Sequence, residues 1–84
     1  MSNDKSLQGL NVKIGTKQTM KLVEQDRAAE VYVALDADDK LVTRITSACR
    51  KKGIKCTQVA TMDDLGKACG IDVGTAMAAI VIEE

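Results

Sequence analysis

The chain has 84 residues, 45% of them hydrophobic, and its twelve basic residues balance twelve acidic ones. That length suits one small domain, residues 1–84, with one modest core, and the apolar share is too high for a disordered chain. Tyr32 is the sole aromatic residue, which excludes modes of single-strand RNA binding that stack bases on aromatic rings, while zero net charge argues against a general nucleic-acid binder with a basic footprint.

Ser2 to Leu10 is polar and reads as a short helix ended at Gly9. "NVKI", Asn11 to Ile14, alternates and predicts a short strand. After Gly15 a helix runs to about Asp26, with Thr16 expected as its N-cap, accepting from a backbone N–H of the first turn. "EVYVAL", Glu30 to Leu35, is nearly continuous in apolar residues and suits a strand buried on both faces. "DADDK" supplies helix caps. Leu41, Val42, Ile45, Ala48 and Cys49 then fall on one stripe of the next helix. Its last turn, Arg50-Lys51-Lys52, complements the helix dipole, and Gly53 ends it. "IKCTQV", Ile54 to Val59, predicts a strand. "TMDD" opens another helix, with Thr61 as cap and acids in the first turn, and Gly70 closes it. "AMAAIVI", Ala76 to Ile82, is a final, wholly apolar strand. Helix and strand alternate without proline, repeat or linker. The expected fold is therefore a three-layer α/β/α sandwich around a largely parallel or mixed sheet of about four strands.

The charges are segregated along the chain. Met1–Lys21 carries +3 (four Lys, one Asp) and Leu22–Asp39 carries −5 (six acids, Arg27). Lys40–Thr57 carries +6 (six bases, no acid) and Gln58–Glu84 carries −4 (five acids, Lys67). Two readings stay open: one basic and one acidic face, or blocks that interleave as surface ion pairs. Three cysteines, Cys49, Cys56 and Cys69, are an odd number. With no signal peptide and no membrane-spanning apolar run, free thiols in a reducing cytoplasm are expected.

The residue inventory is poor in catalytic chemistry. Without His there is neither the commonest general base nor a Ser-His or Cys-His pair. The cysteine spacings, seven and thirteen, are not zinc-ligand spacings. Asp36, Asp38 and Asp39 resemble a calcium loop only faintly, because Leu41 stands where the turn needs Gly and no Glu closes the loop. "GTK" is no P-loop, and Asp63–Asp64 and Glu83–Glu84 are adjacent pairs whose members point apart. No cofactor, metal or enzymatic activity is expected.

Two stretches carry binding chemistry instead. In "KIGTKQTMK", Lys13 to Lys21, Gly15 lets a ligand backbone come close, and the free N–H groups of the helix start suit an anion. Lys17 and Lys21 share a face, with Gln18 beside them. Lysine donates to phosphates or to guanine O6 and N7, and Gln offers a donor and an acceptor to a base edge. The competing reading is an ordinary exposed face whose lysines keep the protein soluble. In "LGKACGIDVG", Leu65 to Gly74, three glycines bound a loop holding Ile71 and Val73. These two either fold back on the core or form an apolar pad for an unstacked base.

"IGTKQTMK" followed by "LGKACGI" resembles the L-seven-Ae superfamily of kink-turn RNA-binding ribosomal proteins, in particular its short bacterial members. The likeness covers nearly the whole chain, including "EVYVALDAD" and "KKGIK". It implies the sandwich fold and a mode of RNA recognition. A helix N-terminus enters the widened groove of a sharply kinked RNA beside tandem sheared G·A pairs, and an apolar loop covers a flipped-out nucleotide. Carried over, Gly15, Thr16, Lys17, Gln18 and Lys21 match the first motif. Leu65, Gly66, Lys67, Gly70 and Ile71 match the second, with Asp72 and Val73 in the following loop. The RNA-binding set implied is Gly15, Thr16, Lys17, Gln18, Lys21, Lys67, Ile71, Asp72 and Val73, with Lys13 adding charge. Archaeal members usually have Asn-Glu where this chain has Lys17–Gln18, and many relatives have Pro at Gly74. The first change removes a charge-assisted base contact and adds a cation for phosphate; the second implies a less pre-organised loop. The implied protein is a monomeric cytoplasmic ribosomal or ribosome-associated binder of structured RNA, such as ribosomal RNA or an mRNA leader, with no membrane role. The alternative is a protein-interaction module of the same fold. The block from Arg50 to Lys55 is expected to cap its helix rather than join the site.

Overall fold

A computed structural model describes residues 11–82. The short helix expected over 2–10 lies outside the described residues. Within them the order is β1 (Val12–Ile14), α1 (Thr16–Glu24), β2 (Ala28–Ala34), α2 (Asp39–Lys52), β3 (Lys55–Val59), α3 (Met62–Cys69) and β4 (Met77–Val81). The four strands form one mixed sheet in the order β1-β4-β2-β3. The β2–β3 pair is parallel, and β4 runs antiparallel to both its neighbours.

Strands β1, β2 and β3 therefore point the same way, and each feeds a helix at its C-terminal end. The N-termini of all three helices consequently gather at one end of the sheet. Alternation along the strands divides the core into two layers. Val31, Val33, Met77 and Ala79 pack with Val23 of α1 and with Ile45 and Cys49 of α2. On the opposite face Ala34 packs with Leu65 of α3, flanked by Tyr32, Val12 and Ile80. This is the expected three-layer arrangement, with α1 and α2 on one side and α3 on the other. The mixed option holds: the apolar β4 enters between β1 and β2, paired on both edges.

The expected caps of α2 and α3 form. Asp38 accepts from the Lys40 N–H at 2.8 Å, and Thr61 accepts from the Asp64 N–H at 3.0 Å. Gly53 and Gly70 end these helices in the left-handed conformation. Helix α1 differs from expectation at both ends. Its N-cap is Gly15, not Thr16, and no side chain caps it. It stops at Glu24 rather than near Asp26, because Asp26 adopts φ 59° and turns the chain toward β2. Aspartate tolerates that region better than most side chains.

The charge blocks interleave at one place. Lys52 Nζ lies 3.2 Å from Asp26 Oδ1 and donates to the Glu24 carbonyl, and Lys55 Nζ lies 4.0 Å from Glu30 Oε2. Two members of the +6 segment thus pair with the −5 segment, at the end of the sheet away from the helix N-termini.

Two core substitutions should move stability in opposite directions. Ile45 is fully buried between layers, so Ile45→Ala should cost about 2–5 kcal/mol. The Thr19 hydroxyl is buried without a hydrogen-bond partner among the described residues, so the isosteric Thr19→Val should gain about 1 kcal/mol by removing that desolvated group. Urea unfolding midpoints at matched m-values check both.

Candidate functional site

The start of α1 is set by the backbone of Gly15. Its φ of 111° and ψ of 157° are closed to residues with a Cβ, although a Cβ there would meet no atom of the described residues within 4 Å. Gly15 is thus required by conformation, and among the described residues the space above it is open. Its own N–H donates to the Met77 carbonyl at 3.0 Å, and its carbonyl accepts from the Thr19 N–H at 3.0 Å. The N–H groups of Thr16, Lys17 and Gln18 precede the first intrahelical bond and are left without partners among the described residues. No acid lies in the first turn. Helices α2 and α3, by contrast, answer their own N-termini with Asp38, Asp39, Thr61, Asp63 and Asp64. Of the three N-termini at this end, α1 alone is unanswered by any described side chain, which leaves its positive potential for something outside. Lys17, Gln18 and Lys21 are exposed around it, while Thr16 is half-buried.

The loop after α3 reaches the same place. Thr75 donates through Oγ1 to the Met77 carbonyl at 3.1 Å, so Gly15 and Thr75 share one acceptor. The Ile71 N–H donates to the Gly66 carbonyl at 3.0 Å, and the Thr75 N–H donates to the Met62 carbonyl at 3.2 Å. Gly66 is buried, and a Cβ on it would run into the Val73 carbonyl. The loop is therefore fixed at both ends without a proline at Gly74. Within it Val73 is 69% exposed, Asp72 is exposed and Ile71 is half-buried. Of the two alternatives for the apolar pair, Val73 is presented outward.

The structure thus gathers Gly15, Thr16, Lys17, Gln18 and Lys21 at the start of α1, and Thr75 ties the end of the loop after α3 to the same Met77 carbonyl; Ile71 and Asp72 lie farther back in that loop, next to the C-terminus of α3, and Val73 lies over Gly66. Lys13 is exposed on the edge strand β1, opposite Ala79 in register, so it lies on the α1 side. Lys67 is exposed in the last turn of α3, across the sheet from α1. The block from Arg50 to Lys55 lies at the far end, where α2 terminates. Four contributors escaped the sequence reading. Thr75 and the Met77 carbonyl join the two stretches, and backbone acceptors leave no sequence signal. Asp36, read as a cap for α2, instead accepts from the Met62 N–H at 2.8 Å and ties the β2–α2 loop to α3. Leu35, 48% exposed, adds apolar surface at this end of β2.

Other chemistry is engaged internally. On the α3 side, Glu30 accepts from Thr57 Oγ1 at 2.7 Å and also lies beside Tyr32. Burial, with the Glu30 carboxylate second, pushes the Tyr32 phenol up. Burial also raises all three thiols, Cys49 to about 12, where the adjacent Cys56 adds to the effect. Among the described residues no group of three or more His, Cys, Asp or Glu could hold a metal ion, and no helix is long and apolar enough to cross a membrane.

Comparison with known proteins places this geometry in a family. The model of the ribosomal protein L7Ae/L30e/S12e/Gadd45 family matches residues 3–84. An RNA-binding protein of Bacillus pumilus is 45% identical over 82 residues, covering 98% of this chain and all of that one. An RNA-binding protein of Caldanaerobacter subterraneus is 51% identical over 71 residues, 84% of this chain and 87% of that one. The large ribosomal subunit protein eL8 of Halobacterium salinarum is 40% identical over 72 residues, 84% of this chain and 60% of its own length. Among solved structures, a 15.5 kD RNA-binding protein of Giardia lamblia superposes with a TM-score of 0.79 at 31% identity, covering 88% of this chain and 62% of that one. This chain thus spans less than two thirds of the last two.

Two measurements probe the local chemistry. Gly66→Ala should displace the loop, cost about 1–3 kcal/mol by overpacking, and shift the amide resonances of residues 70–75 most. The Cys49 thiol is neutral in folded and unfolded chains below its ordinary 9.0. Above that pH the unfolded chain ionises first, so stability should fall as pH rises toward about 12. Unfolding across that window should show this component in the wild type and lack it in Cys49→Ala.

Proposed function

Because the chain belongs to the ribosomal protein L7Ae/L30e/S12e/Gadd45 family, we propose that it is a non-enzymatic RNA-binding protein whose target is sharply kinked RNA containing tandem sheared G·A pairs. The observation that carries this reading is the start of α1: an N-terminus with no side-chain cap and no acid, opened by Gly15 and ringed by Lys17, Gln18 and Lys21. Free N–H groups and the helix dipole would hold a backbone phosphate. Lys17 and Lys21 would reach phosphates or guanine O6 and N7, while the Gln18 amide would both donate to and accept from a base edge. Val73, with Ile71 behind it, would cover an unstacked nucleotide, a task that normally falls to an aromatic ring. Lys13 and Lys67 would add charge on either side of the sheet. Recognition of shape needs only this local basic spot at the start of α1, which reconciles RNA binding with zero net charge.

The similarity to eL8 supports a ribosomal or ribosome-associated setting in the cytoplasm, with the chain acting as one monomeric domain. The test is a titration at physiological salt against a kinked RNA with tandem G·A pairs and the same RNA with those pairs made Watson–Crick. The kinked RNA should bind selectively. Gln18→Ala and Lys21→Ala should each weaken it by about 10- to 100-fold, the scale of one lost base contact, with folding unchanged by circular dichroism. Equal weak binding to both RNAs, with nuclease-resistant capture of a protein, would replace this reading by a protein-interaction module.

A further inference from the structure

The outward face of α2 carries a line of cations, the first two of which its own helix does not call for. Lys40, Arg44, Ser47 and Lys51 are spaced four, three and four apart, so they form a single line along the helix, and all are exposed. The apolar stripe containing Ile45 and Cys49 lies on the opposite side, against the sheet. Among the described residues, Lys40, Arg44 and Lys51 have no side-chain hydrogen bond or ion pair, whereas Lys52 and Lys55 have Asp26 and Glu30. Past the first turn, α2 carries no acid at all.

Local helix physics opposes this pattern. A dipole-complementing role would confine cations to the last turn. Lys40 and Arg44 instead sit in the first two turns, near the positive end. They are also a like-charged i, i+4 pair, which weakens a helix. With Asp39 and Thr43 they line a shallow depression open to solvent. The line starts at Lys40, just inside the Asp38 cap, at the end of the sheet where α1 begins. It runs about 16 Å to Lys51, the rise of eleven helical residues. Lys40 and Arg44, held against their own helix, and Lys51, which the last turn favours, together fit an outside polyanion of that length.

We propose that this face is a track for the phosphodiester backbone of an RNA arm leaving the site at α1, an electrostatic contact additional to kink recognition. The inference rests on the function proposed above for its geometry, since the track begins where that site lies. Lys40, Arg44 and Lys51 would each neutralise a phosphate, and Ser47 would donate a hydrogen bond between them.

The experiment uses the full chain and the triple variant Lys40→Gln/Arg44→Gln/Lys51→Gln, whose substitutions are all on the surface. Both are titrated over a series of KCl concentrations against a kinked RNA with minimal arms, the same kink with both arms extended, and a Watson–Crick control of the extended length. The wild type should bind the extended RNA about 10-fold more tightly than the minimal one. Its log–log salt slope should be steeper by about 2–3, near 0.7–0.9 per phosphate. The variant should lose that gain and keep its affinity for the minimal RNA. A variant indistinguishable from wild type on both lengths would overturn the proposal and leave the face to an acidic protein partner. An equal loss on both lengths would also overturn it, assigning the cations to a general field. If kinked and Watson–Crick RNAs bind alike, kink recognition fails; a length gain lost in the variant would still uphold the track.

Discussion

The Met77 carbonyl oxygen accepts from two directions, and the candidate site is assembled on it. The Gly15 N–H reaches it from the end of β1 and the Thr75 hydroxyl reaches it from the loop after α3. Those two donors belong to segments separated by most of the chain. Because Met77 is also the first residue of the central strand β4, the acceptor is held by the sheet rather than by a loop. The helix start that faces outward and the loop that presents Val73 are thereby placed relative to one rigid atom. Pre-organisation of this kind lowers the ordering cost of binding.

The electrostatics follow from the same topology. Three strands pointing one way deliver three helix N-termini to one end, a positive end by construction. Two of them are answered internally by Asp and Thr side chains, and the third is not. A neutral protein can therefore hold one strongly anion-seeking spot without a basic surface overall. The opposite end shows the converse: there Lys52 and Lys55 are tied to Asp26 and Glu30. The alternation of charge along the chain is thus partly structural pairing and partly a localised field.

Most of the architecture was legible because each element carried its own punctuation. The stripe from Leu41 to Cys49, the Thr61 cap, the αL glycines at 53 and 70 and the apolar run from Ala76 to Ile82 all act within a few residues, so sequence spacing reads them directly. The start of α1 departs from expectation for a reason that is not local. Thr16 has the right chemistry for a cap, but Gly15 is already bonded to Met77, a partner sixty-two residues away that no spacing rule registers. Asp36 is the same case: its neighbours suggested a cap for α2, while its actual partner is the Met62 amide on another helix. The residues proposed for the site come from family likeness. What holds them together was not, because it consists of backbone acceptors and of the missing Cβ at Gly66 that lets the Val73 carbonyl approach.

The strand order has a further consequence, for solubility. The most apolar strand, β4, is the segment that would be most prone to intermolecular β-pairing if its edges were bare. It is bracketed by β1 and β2, so both rows of its backbone groups are occupied within the molecule. The sheet margins fall instead to β1, only three residues long with Lys13 exposed, and to β3, with Lys55 and Gln58 exposed. Short margins bearing charge are poor templates for a second chain. The fold thus hides its stickiest sequence at the centre of the sheet and guards against self-association with the two strands that contribute least to its core.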